Sequence, residues 1–259
     1  MNSQPATPAA AKRHPAPSLD ATLVTSVPLS SNAQHLIFQV EGGVEGGVKN
    51  NDRLQFLPGQ SIRIEVALNG RPTPFAYSIA SPPGEDNRFE LCLKGVSKGS
   101  PADSLRELKE GTQVRVTHPH GTFVLQQPVG DTIFLAAGTG IAPIRSMVHW
   151  LMRSGHHQNS QVWLFFGARD SESLFFDHEF RELSRQHSNF HYHPTLSRAH
   201  AEWTGARGHV QEHFLRMGPW VNPVHAYLCG PPAMISDVRK SLSEQGWPEG
   251  LVHFDRHEF

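Results

Sequence analysis

A glycine pair that follows an apolar run is the feature of this sequence best suited to bind a ligand. The segment contains, in chain order, Phe134, Gly138, Thr139, Gly140 and Pro143. Glycine lets the backbone turn tightly and approach a bulky ligand, and a helix that begins there presents free N–H groups and the positive end of its dipole. The pattern predicts a cradle for the pyrophosphate of a dinucleotide. The alternative is an ordinary turn between a strand and a helix.

Two further segments contain residue types that suit flat aromatic rings. Tyr77 can stack on a ring, and the hydroxyl of the adjacent Ser78 can donate and accept a hydrogen bond, as a ring nitrogen that gains and loses a proton requires. Gly230, after Cys229, would let a ring approach the backbone, and Pro231 would stiffen the turn. Alone, the first segment also fits a routine strand, and the second a small buried cysteine beside a helix.

Composition excludes several functional classes. The 23 basic and 24 acidic residues nearly balance, which argues against binding to nucleic acid or to an anionic membrane. The longest apolar runs, such as Val162–Phe166, are too short to span a bilayer, and the N-terminus lacks the apolar region of a signal peptide. Cys92 and Cys229 form neither a disulfide framework nor an iron–sulfur ligand set. We therefore expect a cytoplasmic protein, and the scattered histidines predict no metal site.

The first half of the chain has the pattern of a β-domain. Residues 1–18 are rich in Ala and Pro, and we expect them to be a disordered tail. From Ala21, short alternating segments separated by Gly-rich and Pro-rich turns predict an antiparallel barrel or sandwich. The predicted strands are Ala21–Val27, Leu36–Val40, Ser61–Val66, Phe75–Ser81, Arg88–Lys94, Gln113–His118 and Thr122–Leu125, with a short helix at Pro101–Leu108.

The pattern changes near Asp131, where strands begin to alternate with helices. Such alternation predicts a parallel sheet with helices on both faces. The predicted strands are Thr132–Ala136, Val162–Phe166, Phe190–Thr195, Ala226–Cys229 and Leu251–Phe254, and the predicted helices are Pro143–Arg153, Leu174–Arg185, Gly208–Met217 and Pro232–Gln245. We place the boundary near Gln127–Gly130, which gives a β-domain over residues 19–128 and an α/β domain over residues 129–259.

The order and spacing of the three ligand-binding segments resemble those of the ferredoxin–NADP⁺ reductase-like flavoproteins, from about Ala21 to the C-terminus. Three further stretches are similar to motifs of that family: Pro58-Gly59-Gln60, His118–Phe123 and Trp203–Val210. The resemblance implies an N-terminal antiparallel β-barrel that binds FAD and a C-terminal α/β domain that binds NADPH or NADH. Because the sequence has two cysteines, the resemblance is to members without a fused ferredoxin domain.

The resemblance also implies residue roles. Ser78 would hydrogen-bond the flavin N5, Cys229 would seat the nicotinamide ring, and an acid and an aromatic residue near the C-terminus would lie by the flavin. Asp255 or Glu258 could be that acid, and Phe259 the aromatic residue. The residues implied for the flavin are Phe75, Tyr77, Ser78, Leu93, Lys94, Gly99, Ser100 and Ser104. Those implied for the nicotinamide nucleotide are Gly138, Thr139, Gly140, Pro143, Arg169, Ser197, Arg198, Cys229, Gly230, Pro231 and Met234.

The implied activity is hydride transfer from NAD(P)H to FAD, followed by electron transfer to a separate acceptor such as a ferredoxin, a flavodoxin or an oxygenase component. Two alternatives are a reductase that uses free flavin as a substrate and a non-catalytic nucleotide-binding electron-transfer subunit. Phe75 stands where the family has an arginine that grips a flavin phosphate. A charge-assisted hydrogen bond contributes roughly 1.5–3 kcal/mol, so we expect weaker flavin binding. Arg169 and Arg198 could bind the 2′-phosphate of NADPH, but arginine near this position also occurs in NADH-using relatives, so the choice between NADPH and NADH stays open, as do FAD versus FMN and the oligomeric state.

Overall fold

The computed structural model describes residues 18–41, 44–45, 48–49, 54–68, 71–84, 86–95, 99–127, 129–217 and 224–256. The first half contains β1 (Ser18–Ser30), β2 (Ala33–Val40), β3 (Val44–Glu45), β4 (Val48–Lys49), β5 (Ser61–Leu68), β6 (Arg71–Ser78), β7 (Arg88–Lys94), α1 (Pro101–Arg106) and β8 (Gln113–Thr117). The second half contains β9 (Thr132–Ala137), α2 (Ile141–Ser154), β10 (Val162–Ala168), α3 (Asp177–Gln186), β11 (Phe190–Leu196), β12 (Ala206–Arg207), α4 (Val210–Met217), β13 (His225–Gly230), α5 (Pro232–Glu244) and β14 (Val252–Arg256).

Six strands of the first half form an antiparallel barrel, as the sequence predicts. Their order is β6-β5-β8-β1-β2-β7, and a bridge between Ile79 and Leu91 joins the two edge strands. The closure follows from the alternation of buried and exposed positions, because the apolar residues of each strand point inward. Leu36 and Phe38 on β2, for example, are fully buried together with Ile62 and Ile64 on β5.

The last predicted strand of the barrel, at Thr122–Leu125, is wrong, because this segment belongs to neither sheet. It follows Gly121, whose φ is 109°. Phe123 and Leu125 are buried against Phe134 and neighbouring residues of the second half. Their alternation therefore reflects burial between the two sheets rather than strand pairing. At the other end of the barrel, Ser18 begins β1 and pairs with Thr117, although we had expected it to belong to the tail.

The second half is a parallel sheet with helices on both faces, as predicted. Its order is β12-β11-β10-β9-β13-β14. The apolar sides of α2 and α3 cover one face, and those of α4 and α5 cover the other. From β9 the chain first moves outward through β10 and β11, then returns to place β13 on the other side of β9. The strand order therefore reverses between β9 and β13, the position at which open α/β sheets bind ligands.

Three helices of this half begin at other residues than the sequence predicts, and one of them, α4, begins at Val210 rather than Gly208. A single 3₁₀ turn, Gly138–Gly140, follows β9, and α2 begins at Ile141 rather than Pro143. The third helix begins at Asp177 rather than Leu174, because Leu174 and Phe175 are buried in the core ahead of it.

The barrel has its own hydrophobic core, and a second buried cluster joins a few of its residues to the parallel-sheet half. Ala33, Ala80 and Cys92 of the barrel pack in the same buried cluster as Ile141 and Ile144 of α2. The connection between β8 and β9 adds a hydrogen bond, in which the Gln126 backbone N–H donates to the hydroxyl oxygen of Tyr227 over 2.8 Å. The predicted domain boundary near Gln127–Gly130 lies in this connection and stays a prediction. None of the helices in the described ranges is long and apolar enough to span a bilayer.

Candidate functional site

The predicted cradle lies at the reversal point of the parallel sheet. The Gly138–Gly140 turn follows β9, and Cys229 and Gly230 end the neighbouring β13. A Cβ atom added to Gly140 would lie 2.3 Å from the Cys229 carbonyl oxygen, so only glycine fits between the two strand ends. At Gly138, whose φ is 58°, the space beside the backbone is open to at least 4 Å. The turn is therefore packed against β13 on one side and open on the other.

The N-terminus of α2 suits an anionic ligand. In this fully described segment, neither the 3₁₀ turn nor α2 has a side-chain cap, and the first turn of α2 contains no acidic residue. The positive end of the helix dipole therefore lies at this turn, beside the open space at Gly138. Pro143 is buried in the first turn of α2. A proline there costs no helix hydrogen bond, because the N–H groups of a first turn have no partner within the helix. This geometry fits the pyrophosphate of a nicotinamide nucleotide.

Cys229 and Asp255 lie side by side on β13 and β14. Complete burial, reinforced by the nearby carboxylate of Asp255, raises the pKa of the Cys229 thiol well above its usual value. The thiol is therefore protonated at neutral pH, which suits a wall of a ring pocket and not a nucleophile. Beside it, a Cβ added to Gly230 would meet Met234 and the Ala137 nitrogen at 2.9 and 3.2 Å.

The predicted residues for the adenosine end also come together. Backbone hydrogen bonds connect Ser197 to Ala168 over 3.0 Å and Arg198 to Arg169 over 2.8 Å. These residues lie at the carboxyl ends of β10 and β11, and the side chains of Arg169, Ser197 and Arg198 are exposed. Two guanidinium groups at one sheet edge form a site suited to a phosphate group.

The predicted flavin residues lie at the end of β6. Phe75 and Tyr77 are half-buried on the same face of the strand, and Ser78 is buried. Burial raises the pKa of Tyr77 to about 12, so the phenol keeps its proton and offers a neutral ring with a hydroxyl donor. On β7, the side chain of Leu93 belongs to the barrel core and Lys94 is partly exposed.

The predicted flavin-phosphate loop differs from the cradle, because a side chain of the protein already uses its donors. The Gly99 backbone N–H donates to Oδ2 of Asp103 over 3.2 Å, and the Asp103 N–H donates to the Ser100 hydroxyl over 3.2 Å. The Ser104 hydroxyl donates to the Ser100 carbonyl over 3.3 Å. Sequence reasoning did not single out Asp103. A phosphate would have to displace its carboxylate, so the loop fits the flavin pyrophosphate only after a local change.

Arg106 is a second residue of this loop that sequence reasoning missed. Its Nη1 donates to Oδ1 of Asp103 over 2.9 Å, and within the described residues its buried Nε has no hydrogen-bond partner. Such an orphaned donor beside a phosphate loop fits a bound anion. The i, i+3 spacing of Asp103 and Arg106 on the short helix was the sequence signal that could have indicated this ion pair. Arg106 therefore places a cation in the loop, although Phe75 replaces the arginine of the related flavin motif.

Some predicted positions lie outside the described residues, namely residues 1–17, Glu258 and Phe259. In the described ranges, no three His, Cys, Asp or Glu residues form a group that could hold a metal ion.

Two families match the chain. The family described as "Oxidoreductase FAD-binding domain" matches residues 20–125, and the one described as "Oxidoreductase NAD-binding domain" matches residues 134–240. The chain is 33% identical over 247 residues to a protein of Sorangium cellulosum named ferredoxin–NADP reductase B, which covers 92% of this chain and 97% of that protein.

Other relatives are longer than this chain. The reductase component of phenol 2-monooxygenase from a Pseudomonas is 35% identical over 206 residues, which are 76% of this chain and 56% of that protein. Among solved structures, a ferredoxin NADP⁺ reductase from Neisseria gonorrhoeae with bound FAD and NADP superposes with a TM-score of 0.78 at 18% identity. The superposition covers 93% of this chain and 99% of that one, and it shows the shared fold.

Proposed function

This chain belongs to the ferredoxin–NADP⁺ reductase-like flavoproteins and is an oxidoreductase with an FAD-binding and an NAD-binding part, and we propose that it carries electrons from NADPH, through FAD, to a separate redox protein. The observation that carries the proposal is the open cradle at the reversal point of the parallel sheet. Gly140 lies directly against Cys229 and Gly230, and α2, which begins after this turn, packs in one buried cluster with Ala33, Ala80 and Cys92 of the barrel.

The cradle holds the nicotinamide nucleotide by its charge. The backbone N–H groups of Gly138–Gly140 and the first turn of α2 bind the pyrophosphate. Cys229 and Gly230 form the wall against which the nicotinamide ring lies, and the protonated thiol adds no charge there. Arg169 and Arg198 bind the adenosine end, where a 2′-phosphate would give NADPH an advantage over NADH.

The barrel residues hold and orient the flavin. Tyr77 packs its neutral ring on the isoalloxazine, and Ser78 supplies a hydrogen bond to a ring nitrogen. Bound FAD supplies the redox chemistry: it accepts the hydride that NADPH releases on becoming NADP⁺, and it gives up the two electrons to the acceptor. The protein therefore needs no strong acid or base, only alignment and the exclusion of water.

The acceptor is proposed to be a ferredoxin, a flavodoxin or an oxygenase component. One relative is named for ferredoxin, and others are named as components of phenol and anthranilate oxygenases. Cys92 and Cys229 are the two cysteines of the sequence, too few for an iron–sulfur cluster with four protein ligands. The sequence therefore offers no such cluster for the next electron transfer, which the proposal assigns to another carrier.

One observation favours a second candidate, a reductase that uses free flavin as a substrate. The Asp103 carboxylate accepts a hydrogen bond from the phosphate loop, and Phe75 supplies no charge. Both weaken the hold on the flavin phosphates, so the flavin could exchange during turnover.

The dependence of turnover on added FAD tests both candidates. The protein is saturated with FAD, passed through a desalting column and assayed with NADPH, NADH and a panel of one-electron acceptors. Retained FAD and full activity without added flavin support the proposed function. Activity that appears only with added FAD and saturates with its concentration supports the second candidate, and the absence of any nucleotide oxidation contradicts both.

A further inference from the structure

Arg145 joins the two halves of the molecule through a single buried side chain. It lies in α2, shortly after the cradle, and its side chain is 10% exposed. Within the parallel-sheet half, Nε and Nη2 donate to the two carboxylate oxygens of Glu179 on α3 over 2.8 and 3.0 Å. Across the interface, Nη1 donates to Oε2 of Glu90 over 2.6 Å and to the Ala80 carbonyl over 2.9 Å. The guanidinium therefore makes two hydrogen bonds to the parallel-sheet half and two to the barrel.

The cluster continues on both sides of Arg145. His35 Nε2 lies 2.9 Å from Oε2 of Glu90, and His149 contacts Glu179. The guanidinium carbon lies 4.5 Å from the centre of the Phe176 ring, and the His35 ring meets the same ring edge-on. Phe176 itself has a φ of 61°, a left-handed conformation that a phenylalanine adopts only when its surroundings hold it there.

Glu90, Glu179 and Arg145 are ionised at neutral pH. Burial would raise the pKa of Glu90, but the hydrogen bond from His35 and the charge of Arg145 lower it to about 2. Burial likewise opposes ionisation of Glu179, and the hydrogen bond from His149 and the charge of Arg145 lower its pKa. Buried ion pairs contribute little net stability, because the loss of hydration offsets the attraction. Their directional bonds instead favour one arrangement of the groups that they join.

The apolar contacts at the same interface do not have this directionality. Ala33, Ala80 and Cys92 are small and belong to the same buried cluster as α2, and burial of apolar surface is non-directional. The two bonds from Arg145 to the barrel end on one rigid unit, since the Ala80 N–H also donates to the Glu90 carbonyl over 2.7 Å. Ala80 follows Ser78 closely in the chain, and Arg145 follows Gly140 closely.

We propose that Arg145 is a positioning residue that fixes the Tyr77–Ser78 end of the barrel relative to the Gly138–Gly140 cradle, and thereby sets the hydride-transfer geometry. The inference rests on the proposed function, because it assigns the flavin to the first segment and the nicotinamide to the second. Hydride transfer requires the reacting atoms to be roughly 3–3.5 Å apart, and a displacement of about 1 Å can cost about 100-fold in rate. An arginine that joins the two supports is placed to prevent such a displacement.

The test compares Arg145→Met with Arg185→Met, a matched change in an exposed ion pair of α3. Three quantities are measured: the Kd of FAD, the Kd of NADP⁺, and the rate of flavin reduction by NADPH in an anaerobic single turnover. We expect Arg145→Met to reduce the rate at least tenfold while each Kd stays within about twofold. Arg185→Met leaves all three unchanged. Arg145→Lys, which can keep one bond but not the paired ones, lies between.

Glu90→Gln carries the test if Arg145→Met does not fold, because the amide keeps a hydrogen bond and removes only the charge across the interface. A rate that stays within twofold in folded Arg145 and Glu90 variants overturns the inference, and so does a loss of rate that weaker nucleotide binding explains in full. If NADPH and NADH fail to reduce even the wild-type protein, the proposed function fails. Crystal structures of the wild-type protein and Arg145→Met then decide the positioning claim: an unchanged position of Ser78 relative to Gly140 overturns it, and a displacement of about 1 Å or more supports it.

Discussion

The two turns assigned to hold a pyrophosphate differ in what already occupies their donors. In the Gly138–Gly140 turn, a Cβ added to Gly138 would meet no atom within 4 Å, and the following helix has neither a side-chain cap nor an acidic residue in its first turn. At Gly99–Ser104 the Asp103 carboxylate accepts from the Gly99 N–H, and Ser100 caps the Asp103 N–H. We infer that the first turn is prepared for an anion, whereas the Asp103 carboxylate already takes a donor of the second turn.

We infer that the two proposed nucleotide sites of this chain differ in how much local change ligand binding requires. A preformed site loses little free energy in ordering itself around a ligand, whereas a self-satisfied loop must first give up its own hydrogen bonds. We therefore expect the nicotinamide nucleotide to depend on exact packing of its cradle. We expect FAD affinity, in contrast, to be improvable by substitutions that supply or release positive charge.

The largest effect is expected for Gly140→Ala. The new methyl group would lie 2.3 Å from the Cys229 carbonyl oxygen, so the turn and the end of β13 must move apart. We expect kcat/KM for NADPH to fall about 100-fold, the typical cost of misplacing a reacting group by about 1 Å. Steady-state kinetics measure it. Gly130→Ala is the control, since no atom lies within 4 Å of its added Cβ; equal kinetics for the two variants would show that the cradle tolerates displacement.

Phe75→Arg should strengthen FAD binding, whereas Gly140→Ala is expected to impair the use of NADPH. A guanidinium at this position would supply the phosphate contact that the related flavin motif contains. With roughly 1.5–3 kcal/mol for a charge-assisted hydrogen bond, we expect FAD to bind about 10-fold to 100-fold more tightly. Fluorescence titration of FAD gives the Kd. Phe75→Leu keeps an apolar side chain and should leave the Kd near that of wild type. An unchanged Kd in the arginine variant would mean that residue 75 does not approach the phosphates.

Arg198→Ala tests the adenosine end of the proposed nicotinamide-nucleotide site. If Arg198 binds a 2′-phosphate, its loss should raise KM for NADPH about tenfold, which corresponds to about 1.4 kcal/mol, and leave NADH unaffected. Parallel kinetics with the two nucleotides are the measurement, and Arg185→Ala is the control for a surface arginine. An equal rise for both nucleotides would refute the assignment to the 2′-phosphate.

Asp103→Asn is expected to have the smallest effect. The substitution removes a negative charge from the flavin-phosphate loop and releases Arg106 from its ion pair. Partly exposed charges contribute about 0.5–1 kcal/mol, so FAD should bind about twofold to fivefold more tightly. Fluorescence titration of FAD, as for Phe75→Arg, measures the Kd, and the substitution of an exposed acid, Asp237→Asn, is the control. Weaker FAD binding would show that Asp103 supports the loop more than it obstructs the phosphates.

Local sequence patterns sufficed for most elements and for the glycine turn that follows β9. The glycine pair, the apolar runs and the alternating segments are short-range signals, and each is sufficient to indicate a strand, a helix or a turn. The resemblance to a known family then placed these elements in two sheets. The adjacency of Gly140 and Cys229 follows from it, because both lie at carboxyl ends of neighbouring parallel strands.

The features that the sequence did not reveal depend on contacts between distant residues. The alternation of Phe123 and Leu125 looks like a strand, but it records burial against a second sheet that no local window contains. Asp103 looks like an ordinary surface acid until Gly99 folds back onto it. Arg145 lies on the apolar face of a helix, and its partners Glu90 and Glu179 come from separate parts of the chain.

The central claim is that a nicotinamide in the cradle lies against a flavin on the barrel. Its most direct test is an anaerobic single turnover, in which protein saturated with FAD is mixed with NADPH and the visible absorbance of the oxidised flavin is followed. We predict rapid bleaching of the flavin absorbance in the wild-type protein. Bleaching should be slower with NADPH that carries deuterium at the transferred position, and it should be nearly absent in Gly140→Ala. Flavin that remains oxidised in the wild-type protein while both nucleotides are bound would contradict it.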